Sequence, residues 1–415
     1  MTVITRSLWN YMDKVLRERP LVYLNGPRQT GKSTLAGNLP GTTNYLSFDS
    51  PVVLTAARAD PAGFIRSLPA DRLNIIDEIQ TAPELFPFLK MAVDEARGQG
   101  RGRGLYLLTG SANLMALPRL SEALVGRMSV LTLLPFSTSE YLQTGRNFIV
   151  NLFDDTLEYR RYGAGPELPE LMAAASFPEP ALHPDMDRIR WFDDYLSTLL
   201  QRDVRTVADI RNPLRAVTLL SVLAMRAGGL LNNSLAARES GLDVKTYERY
   251  KGAAINTFII FEVPAWSKPN RLAKRFTRSP KLFFTDVNLL TYLLRRDMGD
   301  IYRNDRITMG RLFENFIASE IMKNAAPLPD LSVSHFRTSD QKEVDFVLER
   351  ADGGTVGIEV KLSGSPDKHD FAGLKVLREA AGDRFRRGVV LYPGTELVSF
   401  GEELWALPLP YLWEN

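Results

Sequence analysis

The chain has 415 residues, of which 45% are hydrophobic and 24% charged, and its formal net charge is +2. This composition indicates an ordinary globular protein of two to four domains and excludes a disordered chain, and a charge so close to zero leaves nucleic-acid affinity to a local patch. The absence of cysteine excludes disulfides, thiolate metal sites and cysteine catalysis, and three scattered histidines argue against a histidine-rich zinc site.

The N-terminal residues 1–20 carry charges where a signal peptide has its apolar stretch. No apolar run approaches the roughly 18 residues of a membrane helix. We therefore expect a cytoplasmic protein with no membrane partner. The same residues predict an amphipathic helix that leads into the first strand.

The stretch NGPRQTGKS, residues 25–33, has the full spacing of a phosphate-binding loop. The preceding LVYLNG predicts a buried parallel strand, and a helix is expected to begin at Lys32. In such a loop the glycines let backbone amides wrap a phosphate chain, Lys32 reaches the β- and γ-phosphates, and Ser33 ligates Mg²⁺. The pattern predicts an ATP site formed by Gly26, Pro27, Arg28, Gln29, Thr30, Gly31, Lys32, Ser33 and Thr34.

Two further predicted strands end in polar residues suited to ATP hydrolysis. LNIIDEIQ (73–80) ends in Asp77, expected near Mg²⁺, and in Glu78, expected to polarise the attacking water. The alternative is a strand that merely ends in solvated acids. GLYLLTGSANL (104–114) ends in Ser111 and Asn113, either of which is a candidate contact of the γ-phosphate or of the water.

A short helix predicted in residues 120–126 ends at Gly126-Arg127, and a strand follows. With this element, residues 20–145 resemble the AAA-type ATPases, in which an arginine at this place often acts as a finger on a neighbouring subunit. The resemblance makes Arg127 the candidate finger, with Arg119 as the rival, and implies a homo-oligomer assembled through the ATPase domain. The alternative is a solvated arginine at a helix end.

The middle of the chain predicts helices and a basic surface. A long amphipathic helix is expected over residues 188–210, followed by a winged-helix pattern with a turn at Gly241 and a second helix that carries Lys245 and Arg249 on one face. The next segment, 267–281, holds six basic residues and no acid: Lys268, Arg271, Lys274, Arg275, Arg278 and Lys281. The predicted contacts to DNA, or to RNA, are Lys245, Arg249 and the first five of these basic residues, without Lys281. The alternative is that the winged helix contacts a protein and that the basic segment is merely solvated.

The last third of the chain predicts a helix and a hairpin that bring acids together. Glu314 shares a stripe of the helix 310–324 with apolar residues, and EVDFVLE and TVGIEVKL alternate as two strands. A three-residue loop with Gly353 in the left-handed region puts Asp345 opposite Glu359, whereas a two-residue turn shifts the register by one. In the first register the two carboxylates can share a divalent metal and Lys361 can orient a water; Lys361 is the one nearby counter-ion expected for them.

The spacing D-x(13)-E-V-K, with a helical glutamate upstream, resembles the PD-(D/E)xK restriction-endonuclease-like nucleases. The order of elements along the whole chain resembles a prokaryotic family of AAA-type ATPases with a C-terminal domain of this fold. The resemblance implies that Asp345 and Glu359 bind Mg²⁺ or Mn²⁺, that Glu314 is an auxiliary carboxylate, and that Lys361 positions the water.

The chain is therefore predicted to be a multidomain α/β protein, and two functions are open. Its predicted parts are an AAA-type ATPase domain with a parallel sheet (1–145), a helical linker or lid (146–212), a winged-helix-like domain with the basic segment (213–300) and a restriction-endonuclease-like domain (301–415). The first function is an ATP-dependent enzyme that binds DNA and cleaves it with a metal. The second is a nucleotide-gated switch whose C-terminal domain binds a partner or DNA without cutting.

Overall fold

A parallel sheet forms the centre of the N-terminal domain. The computed structural model describes residues 4–111, 124, 126–163, 165–201, 213–267 and 279–414. Within these ranges the N-terminal sheet has the order β2-β3-β4-β1-β5, with every neighbouring pair parallel, and its strands are β1 (Leu21–Asn25), β2 (Thr43–Ser47), β3 (Leu73–Asp77), β4 (Tyr106–Thr109) and β5 (Met128–Thr132). The carboxyl ends of β1, β3 and β4 therefore meet at one edge, where open α/β sheets bind their ligands.

Helices cover both faces of this sheet, because alternate side chains of each strand point to opposite sides. Val22 and Leu24 lie in one buried cluster with the first helix, whereas Leu21 and Tyr23 lie in another with the helices after β2 and β3. The predicted N-terminal amphipathic helix is present and buries Leu8, Met12, Val15 and Leu16. The helices are α1 (Leu8–Glu18), α2 (Lys32–Gly37), α3 (Pro51–Ala59), α4 (Pro61–Arg66) and α5 (Phe86–Gly98).

The middle of the chain is mainly helical in the described residues. It contains α6 (Thr138–Tyr141), α7 (Phe148–Asp154), β6 (Arg160–Arg161), α8 (Leu168–Ala174), α9 (Pro178–Leu182), α10 (Arg188–Leu199), α11 (Pro213–Ala224), α12 (Asn233–Glu239) and α13 (Val244–Asn256). Strands β7 (Ile260–Val263) and β8 (Lys281–Phe284) then pair in antiparallel fashion. The expected helix, turn at Gly241, second helix and strand are thus found in this order, and the winged-helix interpretation stays a prediction.

A mixed sheet forms the C-terminal part, and a strand of the middle segment joins it. Its described order is β6-β13-β14-β12-β11-β10-β9. The elements are α14 (Val287–Leu293), α15 (Met298–Asn304), α16 (Arg306–Ala325), β9 (Leu331–Arg337), β10 (Glu343–Arg350), β11 (Thr355–Val360), α17 (Ala372–Ala381), β12 (Phe385–Tyr392), β13 (Glu396–Gly401) and β14 (Leu404–Pro408). One continuous hydrophobic cluster contains residues from Phe148 to Trp413, so the predicted parts after residue 145 pack as one body in the described residues.

The hairpin of β10 and β11 has the register of the three-residue loop. Gly353 has φ +85°, in the left-handed region that favours glycine, and the Arg350 N–H donates to the Gly354 carbonyl at 3.0 Å. The paired residues run from Phe346 with Ile358 to Glu349 with Thr355. The pairing ends at Phe346 with Ile358, one residue before Asp345 and Glu359.

None of the helices within the described ranges has both the length and the apolar character that spanning a membrane requires.

Candidate functional site

The predicted phosphate-binding loop lies between β1 and α2. Gly26 has φ +143°, and a Cβ atom at this position would lie 2.1 Å from the Leu133 carbonyl oxygen, so the loop requires glycine here. The Lys32 side chain is 5% exposed, and its Nζ donates to the Gly26 carbonyl at 3.0 Å and to the Pro27 carbonyl at 2.6 Å. The loop therefore holds a buried ammonium at its centre, where a phosphate chain needs positive charge.

Arg6 supports this loop from outside, and no sequence pattern indicated it. Its Nη1 donates to the Thr30 carbonyl at 2.8 Å, and its Nε pairs with Glu140 Oε1 at 3.1 Å. Arg6 and Glu140 are each only 6% exposed. Glu140 also accepts from the Ser7 N–H at 2.7 Å, so the pair joins the start of α1, the loop and α6. The two residues lie far apart along the chain, which is why local patterns could not reveal their contact.

Asp77, the predicted Mg²⁺ ligand, is buried at the end of β3 and held at both carboxylate oxygens. Tyr45 donates its hydroxyl to Oδ2 at 2.8 Å, and the Thr109 hydroxyl donates to Oδ1. Burial, and then the hydrogen bond to Asp77, raise the pKa of Tyr45, while a hydrogen bond with Ser33 lowers it. Tyr45 therefore lies beside both predicted Mg²⁺ ligands, whose oxygen atoms suit that ion.

Glu78, the predicted base, follows β3 with φ +59°, an uncommon backbone conformation for a side chain of this kind. Burial raises its pKa, and the charges of Lys32 and Arg28 oppose this rise. Gln80 donates its Nε2 to Glu78 Oε2 and also reaches Ser111 Oγ at 3.3 Å. Gln80 thus positions the glutamate and brings Ser111 into the same network, a role that the sequence did not indicate. The predicted Asn113 lies outside the described residues.

These residues open into a cleft of about 600 Å³, a size that suits a bound ligand. One wall is the phosphate-binding loop with Glu78, and the other comes from α9 and α10 of the middle segment. On the second wall the rings of Trp191 and Tyr195 stack with centroids 5.3 Å apart and planes at 7°. Trp191 also donates its indole N–H to Glu179 at 3.0 Å. Both a phosphate-binding surface and an aromatic surface therefore face the cleft.

Arg127, the predicted finger, lies away from the described lining of this cleft. Its guanidinium forms two hydrogen bonds with Asp94 of α5, at 2.6 Å from Nε and 2.9 Å from Nη2. This pair joins the start of β5 to α5 within one chain. The finger role stays a prediction, and the rival Arg119 lies outside the described residues.

The N-terminal part is similar in sequence to a known protein family. Residues 18–142 match the family described as an AAA domain, and they contain the parallel sheet and the phosphate-binding loop. This match supports an AAA-type P-loop ATPase domain in the N-terminal part. Residues 165–300 and 309–412 match two families described as domains of unknown function, DUF8612 and DUF4143.

Two relatives resemble nearly the whole chain in sequence, and solved structures resemble part of it in fold. The uncharacterized protein Rv2008c of Mycobacterium tuberculosis and the uncharacterized protein Mb2031c of Mycobacterium bovis are each 27% identical over 414 residues, which is 98% of this chain and 84% of theirs. The Walker-type ATPase PABY2304 of Pyrococcus abyssi has a TM-score of 0.40 and 15% identity, covering 70% of this chain and 96% of its own. A point variant of RuvB from Thermotoga maritima has a TM-score of 0.29 and 18% identity, covering 61% and 86%.

The predicted metal site of the C-terminal part contains a lysine instead. Lys281, at the start of β8, is 5% exposed, and its Nζ donates to Glu314 Oε1 at 2.9 Å and to Asp345 Oδ1 at 2.7 Å. The prediction that Lys361 is the one counter-ion of these acids is therefore wrong. It failed because the β7–β8 hairpin brings Lys281 to Asp345 from 64 residues away in the sequence. Lys281, which the sequence grouped with the basic segment, is therefore buried in contacts with two acids.

The remaining carboxylate groups are also partly occupied. Asp345 Oδ2 accepts from the Val360 N–H at 2.9 Å, and Glu359 Oε1 accepts from Lys361 Nζ at 2.8 Å. Burial, and then the charge of Asp345, raise the pKa of Glu314 and of Glu359 to about 8. Among the residues described, no group of three or more histidine, cysteine, aspartate or glutamate side chains is arranged to hold a metal ion. The donor set in this arrangement does not fit a divalent cation.

The predicted nucleic-acid contacts are described only in part. Lys245 and Arg249 are exposed on α13, as a contact with a phosphate backbone requires. The neighbouring Lys251 is instead buried and pairs with Glu262 at 3.2 Å and Glu248 at 3.3 Å. Five predicted contacts lie outside the described residues: Lys268, Arg271, Lys274, Arg275 and Arg278.

Proposed function

We propose that the protein is a nucleotide-gated switch: it binds and hydrolyses ATP at the P-loop cleft, and its C-terminal part binds a partner or DNA without cutting. The observation that carries this proposal is the double wall of the cleft. A nucleotide held by the phosphate-binding loop also touches α9 and α10, and α10 packs in the hydrophobic cluster that contains the C-terminal sheet. Occupancy of the cleft can therefore bias the position of that cluster, because a ligand shifts an equilibrium by its differential contacts with the two states.

The residues of the first wall account for hydrolysis. Lys32 meets the phosphate charge, and Glu78 accepts the proton of the attacking water while Gln80 and Ser111 fix its orientation. Ser33 and Asp77 would hold Mg²⁺, which, when bound, offsets the charge that develops on the phosphates. The raised pKa of Glu78 suits a group that takes up a proton.

The residues of the second wall account for the switch. The stacked pair of Trp191 and Tyr195, which are 8% and 5% exposed, offers the base a small aromatic contact, and Asp194 and Thr198 add polar groups on the same helix. A nucleotide that fills the cleft bridges the loop and α10. Hydrolysis and release of phosphate then remove contacts from one wall and leave the other, which makes the bridge dependent on the nucleotide state.

The test compares ATP binding, ATP turnover and amide exchange of residues 188–199 in the full chain. Lys32→Ala should lose ATP binding, and α10 should then show no protection by ATP. Glu78→Gln should bind ATP within about threefold of wild type and lose turnover by roughly 10²-fold or more, the usual contribution of a general base. Glu84→Gln is the matched control, because this glutamate pairs with Arg58 at the surface. ATP binding that leaves the exchange of α10 unchanged would refute the switch.

Contact with DNA is the part of the proposal that rests on the basic residues. Reversing Lys245 and Arg249 to Glu should weaken DNA binding equally for all sequences and reduce its salt dependence, because phosphate contacts are lost. Reversing Lys274, Arg275 and Arg278 should do the same. ATP binding should stay unchanged in both variants. Fluorescence anisotropy over a salt series measures this, and unchanged affinity in both variants would leave a protein as the partner of the switch.

Metal-dependent cleavage is the second candidate function, and one observation favours it. Glu359 Oε2 is buried and has no hydrogen-bond partner among the described residues, next to Lys361, which is 34% exposed. Cleavage by this site requires that Lys281 leave the carboxylates. Incubation of linear, circular and single-stranded DNA and of RNA with Mg²⁺ or Mn²⁺ tests it. Cleavage that Asp345→Ala abolishes would support the nuclease over the switch.

A further inference from the structure

The buried contacts of Lys281 give the C-terminal carboxylate cluster a cation that belongs to the chain. We infer that the Lys281 ammonium takes the position of a divalent cation between Glu314 and Asp345 and pins the β7–β8 hairpin to the C-terminal sheet. While the lysine is in place, the cluster binds no Mg²⁺ or Mn²⁺. The cluster is then a structural joint between three elements, β8, α16 and β10.

The hydrogen-bond geometry supports the exclusion of a metal. Lys281 Nζ is 2.7 Å from Asp345 Oδ1 and 2.9 Å from Glu314 Oε1, and all three side chains are at least four-fifths buried. A divalent cation bound by the same oxygens would lie about 2.0–2.6 Å from them. Such an ion and the ammonium cannot occupy this space together, so metal binding requires that the lysine be displaced.

The other oxygens of the cluster do not supply a separate metal site. Asp345 Oδ2 is taken by the Val360 N–H, and Glu359 Oε1 is taken by Lys361. Glu359 Oε2 has no hydrogen-bond partner among the described residues, and Glu314 Oε2 has none among these contacts. A divalent cation at these two oxygens would lie within a few ångströms of the Lys281 and Lys361 ammonium groups, whose positive charges oppose its binding.

Displacement of Lys281 is opposed by the backbone around it. The Gly228 N–H donates to the Leu282 carbonyl at 2.8 Å and the Leu231 N–H donates to the Pro280 carbonyl at 2.9 Å, so both neighbours of Lys281 are bonded to the segment after α11. The Ser279 carbonyl lies 3.2 Å from the His335 ring on β9. The lysine thus enters the cluster from a strand that is fixed on two sides, and a buried ion pair broken by removal of one partner is strongly unfavourable.

The experiment is a calorimetric titration of Mn²⁺ into the nucleotide-free full chain. Wild type and Asp345→Asn should take up the same amount of Mn²⁺, because the ATPase site contributes equally to both. Lys281→Met should bind one Mn²⁺ more than wild type. The double variant Lys281→Met/Asp345→Asn should lose that ion, and Lys281→Arg, which keeps the positive charge, should not gain it.

Two results would overturn the inference. The first is Mn²⁺ uptake by wild type that Asp345→Asn or Glu359→Gln removes. The second is a Lys281→Met variant that retains ATP turnover and gains no Mn²⁺. If Lys281→Met does not fold, the comparison of wild type with Asp345→Asn and Glu359→Gln still decides, since equal uptake by all three supports the inference and a lower uptake by either variant refutes it.

Discussion

The buried pair of Arg6 and Glu140 makes the strongest quantitative prediction about the ATPase domain. Arg6→Met keeps the aliphatic part of the side chain and removes the guanidinium, which contacts the Thr30 and Leu134 carbonyls as well as Glu140. Glu140 then stays buried with backbone donors but without its counter-ion. Breaking a buried ion pair in this way costs about 3–5 kcal/mol. This loss of stability should be largest in the phosphate-binding loop, because the Thr30 carbonyl loses its hydrogen bond from Arg6.

Amide exchange of residues 21–35 in the full chain measures this effect locally, without assuming that the whole chain unfolds in one step. A loss of about 3–5 kcal/mol in the free energy of local opening corresponds to exchange that is faster by about two to four orders of magnitude. ATP affinity should fall in the same variant, since a loosened loop must be ordered again on binding.

The control is Arg17→Met, which removes an exposed arginine of α1 that pairs with Asp13 four residues away. Such a surface pair contributes about 0.5 kcal/mol or less. The double variant Arg6→Met/Glu140→Gln should lose less than the sum of the single variants, because no charge is left unpaired. Exchange in Arg6→Met within threefold of wild type, with unchanged ATP affinity, would refute the assignment of Arg6 as the support of the loop.

Three further predictions concern the metal ligand, assembly and pH. Thr109→Val removes a donor to Asp77 and should weaken Mg²⁺-dependent ATP binding by about tenfold to a hundredfold, the value of one hydrogen bond to a charged group. Unchanged ATP binding over a Mg²⁺ titration contradicts this. If Arg127 acts on a neighbouring subunit, mixing Lys32→Ala with Arg127→Ala should partly restore turnover, and a monomer with full activity excludes it. Because the native pKa of Glu359 is raised to about 8, the free energy of unfolding should fall as the pH rises from about 4.5 to 8, by up to about 1.4 kcal/mol per pH unit. The thermal midpoint of Glu359→Gln should fall less over this range than that of wild type, and an equal fall in both refutes the prediction.

The amino-acid sequence alone determined the features that depend on neighbours in the chain. The phosphate-binding loop and the strands before Asp77 and Ser111 follow from short patterns of glycine, apolar and polar residues, and the structure has them where they were predicted. The C-terminal hairpin was also predicted, but its register was open between two turns, and the structure has the three-residue loop. Each of these features is local, because dihedral preference and side-chain alternation act over a few residues.

Only the tertiary structure decided which charges meet. Arg6 reaches Glu140 and Lys281 reaches Asp345 because separate elements pack together, and in each case a buried charge changed the interpretation of a site. The sequence predicted carboxylates that need a cation, but it offered no means to tell a lysine from a metal ion as their partner. A buried ion pair between distant residues has no periodicity or spacing in the chain, since its energy depends on distance and burial in space, and these exist only once the chain has folded.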